Sequence, residues 1–494
     1  MPRPSSPTTP PARAVAATGI PGLDDVLAGG LTRRRLYLVE GVPGSGKTTL
    51  AMQFLLEGAR QGEAVLYVTL SETEEELRSV ADSHGWSLEG LAIHELMSGA
   101  DDLDPDEQNT MFHPSEVELA ATTRRVLDDV DRLRPARVVF DSLSELRLLA
   151  GNPLRYRRQI LALKQFFATR DTTVILLDDL TTAAHDLQMQ SIAHGVIMLE
   201  QLSPEYGNER RRLRVVKYRG VRYRGGYHDY VIRRGGLDVF PRLVAAEHRH
   251  DMTRARLSSG LAEFDTMLGG GIEEGTSTLM LGAAGTGKST LAVQFAVAAA
   301  ARGQRAEVFM FDESRATLVT RCASLGIPIE RAVEAGLVTL HAVDPAEMSP
   351  GEFSQAIRHA VDAGGAKVVV IDSLNGFLNA MPGERHLTIL LHELLMYLGQ
   401  MNVATIMVGA QQGLIGSSMV SPVDASYLAD AVVLLRYFEH RGTVRQAISV
   451  MKKRGGPHER SLRELRFEDG RVEVGATLED FRGVLTGVPI YEGQ

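Results

Sequence analysis

Gly41-Val42-Pro43-Gly44-Ser45-Gly46-Lys47-Thr48 and, 241 residues further on, Gly282-Ala283-Ala284-Gly285-Thr286-Gly287-Lys288-Ser289 decide the reading of this chain. Both match G-x-x-x-x-G-K-[ST], and each lies between a short apolar run and a segment with apolar residues at helical spacing. In that context the glycines let backbone N–H groups curl around phosphates, and the N-terminus of the following helix adds partial positive charge. The lysine reaches the outer phosphates, and the hydroxyl of Thr48 or Ser289 is placed to ligate magnesium. The expected nucleotide site therefore takes in Gly41, Gly44, Ser45, Gly46, Lys47, Thr48 and Thr49, with Gly282, Gly285, Thr286, Gly287, Lys288, Ser289 and Thr290 in the second copy.

The loops belong to a longer repeat. Gly19, Asp24, Gly29, Gln53 and Glu72 recur as Gly260, Asp265, Gly270, Gln294 and Glu313, all at the same offset of 241. A constant offset from Gly19 to Glu72 marks a duplicated domain. The expected organisation is a disordered, Pro/Ser/Thr-rich leader over 1–17, a first domain over 18–243, a polar linker over 244–255 and a second domain over 256–494. Short β-branched or apolar runs alternate with amphipathic stretches, which predicts an α/β fold with a mostly parallel sheet flanked by helices in each half. Predicted strands are 36–40, 64–70, 137–141 and 173–177, then 277–281, 306–311, 367–372 and 403–408. Helical spacing covers 50–60 and 291–301, and later strands are expected at 213–217 and 447–452.

Composition narrows the function classes. Apolar residues make up 44% and charged residues 23%, enough to bury full cores across 494 residues. No apolar run is long enough to span a bilayer, and the leader lacks the apolar middle of a signal peptide, so a cytoplasmic location is expected. One cysteine, Cys322, excludes an internal disulfide or a cysteine-based zinc site and reads as a small core residue. A net charge of −9 argues against a nucleic-acid binder, which normally presents a basic face.

Apolar runs ending in aspartate complete the expected sites. Val138-Val139-Phe140-Asp141 and Val368-Val369-Val370-Ile371-Asp372 each place a carboxylate at a strand tip beside a loop, where it can hold the magnesium shell. Glu72 and Glu313 close the strands after the first helices and are the candidates for positioning or deprotonating water. No N-K-x-D guanine signature occurs, so ATP is favoured over GTP. Lys217-Tyr218-Arg219-Gly220 and Lys452-Lys453-Arg454-Gly455 recur late in each half. Lys217, Arg219, Lys452 and Arg454 are read as fingers reaching a neighbouring subunit's phosphates, which places the active sites between subunits and closes a ring.

With these residues assembled, the chain resembles the KaiC family of the RecA/DnaB superfamily over essentially 18–485. The carrying motifs are Thr18-Gly19-Ile20-Pro21-Gly22-Leu23-Asp24 with Gly29-Gly30-Leu31, both phosphate loops, Asp312-Glu313-Ser314-Arg315, both K-x-R-G turns and 481–489. The resemblance implies two tandem RecA-like P-loop domains, a double-ring homo-hexamer, ATP and Mg2+ at subunit interfaces, and slow hydrolysis coupled to autophosphorylation in the C-terminal ring. KaiB-like or two-component signalling partners follow from it too. Three departures stand out. The family's paired glutamates are Ser71-Glu72 and Asp312-Glu313 here, so Asp312 joins Glu313 as the kinase base. The adjacent Ser and Thr phosphoacceptors align with Ser426 and Tyr427, leaving Ser426 as the acceptor. The third is at Gln494, soon after the Val-Pro motif, where the longer tail by which the family's clock proteins recruit their activator is expected to be lacking. The expectation is a KaiC-like ATPase and serine autokinase in circadian-like or stress signalling. The competing readings are a DNA-dependent motor, with 210–214 and 219–224 as a basic pore lining, and a nucleotide-gated docking platform with little turnover.

Overall fold

In the computed structural model each phosphate loop joins a buried strand to a 14-residue helix. The first strand is β1 (Leu36–Gly41) and its helix is α1 (Lys47–Arg60). The structure describes residues 14–96, 124, 127–180, 187–248, 255–379, 387–411, 426–468, 470–485 and 489–492. The chain divides into two units between Arg242 and Leu243.

The first unit contains, among the described residues, a nine-stranded sheet. After β1 come β2 (Val65–Thr69), β3 (Leu91–Glu95), β4 (Arg137–Asp141), β5 (Thr173–Asp179), β6 (Gly195–Leu202), β7 (Arg210–Tyr218), β8 (His228–Arg233) and β9 (Gly236–Phe240). Their order is β9-β8-β7-β6-β1-β5-β4-β2-β3. Pairings among β1 to β6 are parallel, and β6 to β9 continue as an antiparallel meander. Strands covered on both faces are largely apolar, and β1, β2 and β4 are buried throughout, with Glu40, Arg137 and Asp141 as buried charged exceptions. Alternation then divides the core: Val39, Tyr67 and Ile175 pack with Leu50 and Phe54 of α1. Leu38, Val68 and Leu176 pack with Ile160, Leu163 and Phe167 of the helix Pro153–Ala168 on the other face.

The second unit repeats this architecture with β10 (Ser277–Gly282), β11 (Arg305–Met310), β12 (Val338–Ala342), β13 (Ala366–Asp372), β14 (Ala404–Ala410), β15 (Ala431–His440), β16 (Thr443–Lys453), β17 (Arg463–Glu468) and β18 (Arg471–Thr477). The order is β12-β11-β13-β14-β10-β15-β16-β17-β18, and its loop helix is α2 (Lys288–Ala301). Every predicted strand and helix has its counterpart, with no end moved by more than four residues. Residues 243–248, at the expected boundary, pack onto the second unit: Leu243 and Ala245 join its core, and Ala245 N–H donates to Glu393 Oε2 at 3.1 Å. Residues 1–13 and half of the linker, 249–254, lie outside the described residues.

Glycine is required at the start of both loop helices. Gly46 and Gly287 sit at φ 89° and 96°, a left-handed conformation that side chains disfavour. A Cβ at Gly46 would stand 2.6 Å from Ile232 Cδ1, and one at Gly287 would stand 2.0 Å from Phe467 Cζ. The antiparallel meander thus presses an apolar side chain onto each loop.

Candidate functional site

The parallel order brings the tips of β1, β5, β4 and β2 together beside the first loop, as expected for ligand sites at the carboxyl ends of α/β strands. Lys47 is only 7% exposed. Its Nζ donates to Gly41 O at 2.9 Å and Val42 O at 3.0 Å, and pairs with Asp179 Oδ1 at 2.7 Å. Thr48 Oγ1 donates to Asp141 Oδ2 at 3.2 Å, and the buried Tyr67 hydroxyl donates to the same oxygen at 2.5 Å. Burial pushes the Asp141 carboxyl up, opposed by the hydrogen bonds from Tyr67 and Thr48.

Glu72 stands in the turn after β2, held by Thr69, whose Oγ1 accepts from Glu72 N–H at 2.9 Å and donates to Glu72 O at 2.7 Å. Its Oε2 is buried and meets no hydrogen-bond partner among the described residues. Burial first, then the charges of Asp141, Glu76 and Asp179, lift its carboxyl to about 7, against the pull of Lys47.

The second loop has the same frame with different neighbours. Lys288 Nζ donates to Ala283 O at 2.6 Å, and burial lowers its affinity for the proton while Asp372 opposes this. Ser289 donates to Asp372, whose carboxyl burial pushes up. Asp312 accepts from Ser373 Oγ, and Glu313 Oε1 accepts from Arg321 Nη1 at 2.8 Å. The peptide bonds Asp141–Ser142 and Asp372–Ser373 are both cis, at equivalent strand tips.

The cations read as fingers bind main-chain carbonyls of their own unit. Lys217 Nζ donates to Gln190 O at 2.5 Å and Ser191 O at 3.3 Å, and Arg219 Nη2 donates to Ser191 O at 2.7 Å. Lys452 Nζ donates to Ser426 O and Ala429 O, each at 2.8 Å, and Arg454 Nη2 donates to Tyr427 O at 2.8 Å. The first pair therefore clamps the short helix Leu187–Ile192 that precedes β6, and the second clamps the turn that precedes β15. Ser426 sits in that turn, half-buried, with Tyr427 exposed next to it. Cys322 is buried, in the second unit's core.

The sequence reading did not identify Asp179, Tyr67 or Arg321. A readable signal existed for Asp179, since Asp178-Asp179 closes an apolar run in the same manner as Asp141. Tyr67 and Arg321 carried no such mark. Among the described residues no group of three or more His, Cys, Asp or Glu forms a metal cage, and no helix is long and apolar enough to cross a membrane. The hydroxyl–carboxylate pair Thr48–Asp141 offers two hard oxygen donors, which suits a magnesium ion bound mainly through phosphates and water.

Two duplicated phosphate-loop sheets with a hydroxyl and a strand-tip carboxylate beside each lysine define a tandem P-loop ATPase. The family model described as "ATPase: KaiC" matches residues 16–244 and 257–479, and the chain belongs to that family of ATP-binding proteins. It is 26% identical over 484 residues to "Circadian clock protein KaiC3" of Synechocystis sp., covering 97% of this chain and 95% of that one. It is 28% identical over 478 residues to "Circadian clock oscillator protein KaiC" of Picosynechococcus sp., covering 96% and 92%. The protein of that name from Synechococcus elongatus is also 28% identical over 478 residues, covering 96% and 91%.

Proposed function

We propose that the first unit hydrolyses ATP with Glu72 as the general base and that the second transfers the γ-phosphoryl group to Ser426. The observation that carries the reading is the repeated assembly of loop lysine, loop hydroxyl and strand-tip aspartate. In the first unit the Glu72 carboxyl, raised to about 7, is matched to taking a proton from water near neutral pH. In the second, Ser426 Oγ attacks the γ-phosphorus, the bond to ADP breaks, and the hydroxyl proton passes to Asp312 or Glu313. When bound, magnesium held through Thr48 and Asp141, or Ser289 and Asp372, neutralises phosphate charge. Because Ser426 and the phosphate loop must meet, the reading takes the sites to lie between subunits of a homo-hexamer, with Lys217, Arg219, Lys452 and Arg454 leaving their carbonyls to reach a neighbour's phosphates. A cytoplasmic signalling role with KaiB-like or two-component partners completes it.

The Glu313–Arg321 ion pair favours a second reading for the second unit alone: nucleotide held with little turnover, as a docking platform. A DNA motor draws less support, since Arg212 pairs with Glu200 at 2.8 Å and stacks on Tyr227, and Lys217 and Arg219 hold carbonyls. Incubation with Mg-ATP, followed by phosphate-release assay and peptide mass spectrometry, tests the proposal. Phosphate on Ser426 in the parent protein, absent from an Asp312→Asn, Glu313→Gln variant, supports the kinase. ATP consumed with Ser426 unmodified overturns it and leaves the ATPase.

A further inference from the structure

The two loop lysines share one loop carbonyl, Val42 O or Ala283 O, and differ in their acidic partner. Parallel register sets Gly41 opposite Asp179 and, in the second unit, Gly282 opposite Ala410. The same strand-tip position thus carries a carboxylate beside the first loop and a methyl group beside the second. Lys47 uses that carboxylate at 2.7 Å in a setting where its own side chain is almost fully buried. Asp179 is aimed by its surroundings: Ser144 Oγ approaches its other oxygen at 3.4 Å, and neighbouring Asp178 is taken by Arg147 at 2.7 Å. Lys288 donates to a loop carbonyl and has no carboxylate within ion-pair distance among the described residues.

A phosphate-loop lysine contributes by placing its ammonium on the outer phosphates. For Lys47 that requires exchanging a half-buried carboxylate for phosphate oxygens, which leaves the Asp179 charge facing an anion. For Lys288 no carboxylate is displaced. We propose that Asp179 is a positioning residue peculiar to the first unit, competing with nucleotide phosphate for the Lys47 ammonium. The first site then binds nucleotide more weakly and sheds ADP faster than the second. After the γ-phosphate leaves, Lys47 has an alternative partner within reach, and the product loses its hold. This rests on the reading of the first loop as an ATP site and adds to it the group that governs release.

The test uses the full-length protein with the second loop silenced by Lys288→Ala, titrated with a fluorescent ADP analogue and followed by stopped-flow displacement. Adding Asp179→Asn is expected to lower the Kd for ADP about tenfold, mostly through a slower off-rate, and to lower KM and kcat together. A substitution that merely damaged the fold would weaken binding, so tightening separates the two roles. The converse change, Ala410→Asp with Lys47→Ala, is expected to weaken binding at the second loop by a similar factor. Equal Kd and off-rate with and without Asp179→Asn overturn the role of Asp179 and leave the ATPase reading intact. No binding by either protein overturns both.

Discussion

Glu313 is held by Arg321 at 2.8 Å, whereas Glu72, its equivalent in the first repeat, has Val80 at the position corresponding to Arg321. The two glutamates follow equivalent strands and precede equivalent helix caps, Thr73 and Ser314. One carboxylate is neutralised by a fixed cation, and the other is pushed toward neutrality by burial and by like charges. Duplication has left two sites with the same phosphate-binding frame and different neighbours around the glutamate.

Glu72→Gln is expected to cut first-unit ATP hydrolysis by roughly 10²- to 10⁴-fold, the usual contribution of a positioned general base. Phosphate release in a Lys288→Ala background measures this. Retention of full turnover would remove Glu72 from the reaction.

The same residue sets a pH dependence. A base must be ionised to act, so hydrolysis in the first unit should fall as pH drops through about 7, the value to which the Glu72 carboxyl is raised. The pH–rate profile of the Lys288→Ala protein reads this limb, and an acid limb near 4.5, the ordinary value for a glutamate, would contradict it. Stability moves in the opposite sense. The folded protein holds the Glu72 proton more tightly than the unfolded chain, so ionisation costs stability above about 7 and nothing below 4.5. Glu72→Gln should therefore raise stability above pH 7 by about 1 kcal/mol, discounted for partial exposure, with the gain shrinking toward acid. Melting curves across pH test it.

Arg321→Met, studied with Lys47→Ala, leaves the Glu313 carboxylate without its cation. Second-unit hydrolysis is expected to rise several-fold. Unchanged turnover would show that the ion pair does not restrain Glu313.

Lys452→Ala removes two donors from the 426–429 turn. Amide exchange of Ala429 and Asp430 is expected to quicken about tenfold. If Lys452 served only a neighbouring subunit, exchange in this turn would be unchanged.

Arg137 is completely buried at the start of β4, donating to Ala17 O at 2.6 Å, Phe54 O at 2.8 Å and Glu63. Arg137→Met should destabilise the first unit by about 3 kcal/mol, because Glu63 and two carbonyls lose a buried partner. Chemical denaturation measures the loss, and a neutral effect would mean the apolar replacement compensates, as Val368 does at the equivalent place in the second unit.

Much of this was readable in one dimension. The G-x-x-x-x-G-K-[ST] loops, the apolar runs ending at Asp141 and Asp372 and the 241-residue offset specify local conformation, strand burial and duplication. Each depends on residues close together in the chain or on simple periodicity, so the fold class and the loop residues followed directly. Recurrence marked the cation turns and the family resemblance added Ser426, without either saying what those cations touch.

Tertiary structure decided which charges meet. Asp179 reaches Lys47 because β5 lies beside β1 in the sheet order, and Ala410 stands in the corresponding register opposite Gly282. Tyr67 meets Asp141 because β2 and β4 are neighbours, and Lys452 meets Ser426 O because β16 pairs with β15 in antiparallel register. Such pairings join residues far apart in sequence, and a carboxylate's chemistry depends on burial and on neighbouring charge. The sequence alone determined that there are two phosphate loops with a glutamate after each. Only the folded sheets, by setting those neighbours, decided that Glu313 is paired with Arg321 while a buried Glu72 oxygen meets no hydrogen-bond partner among the described residues.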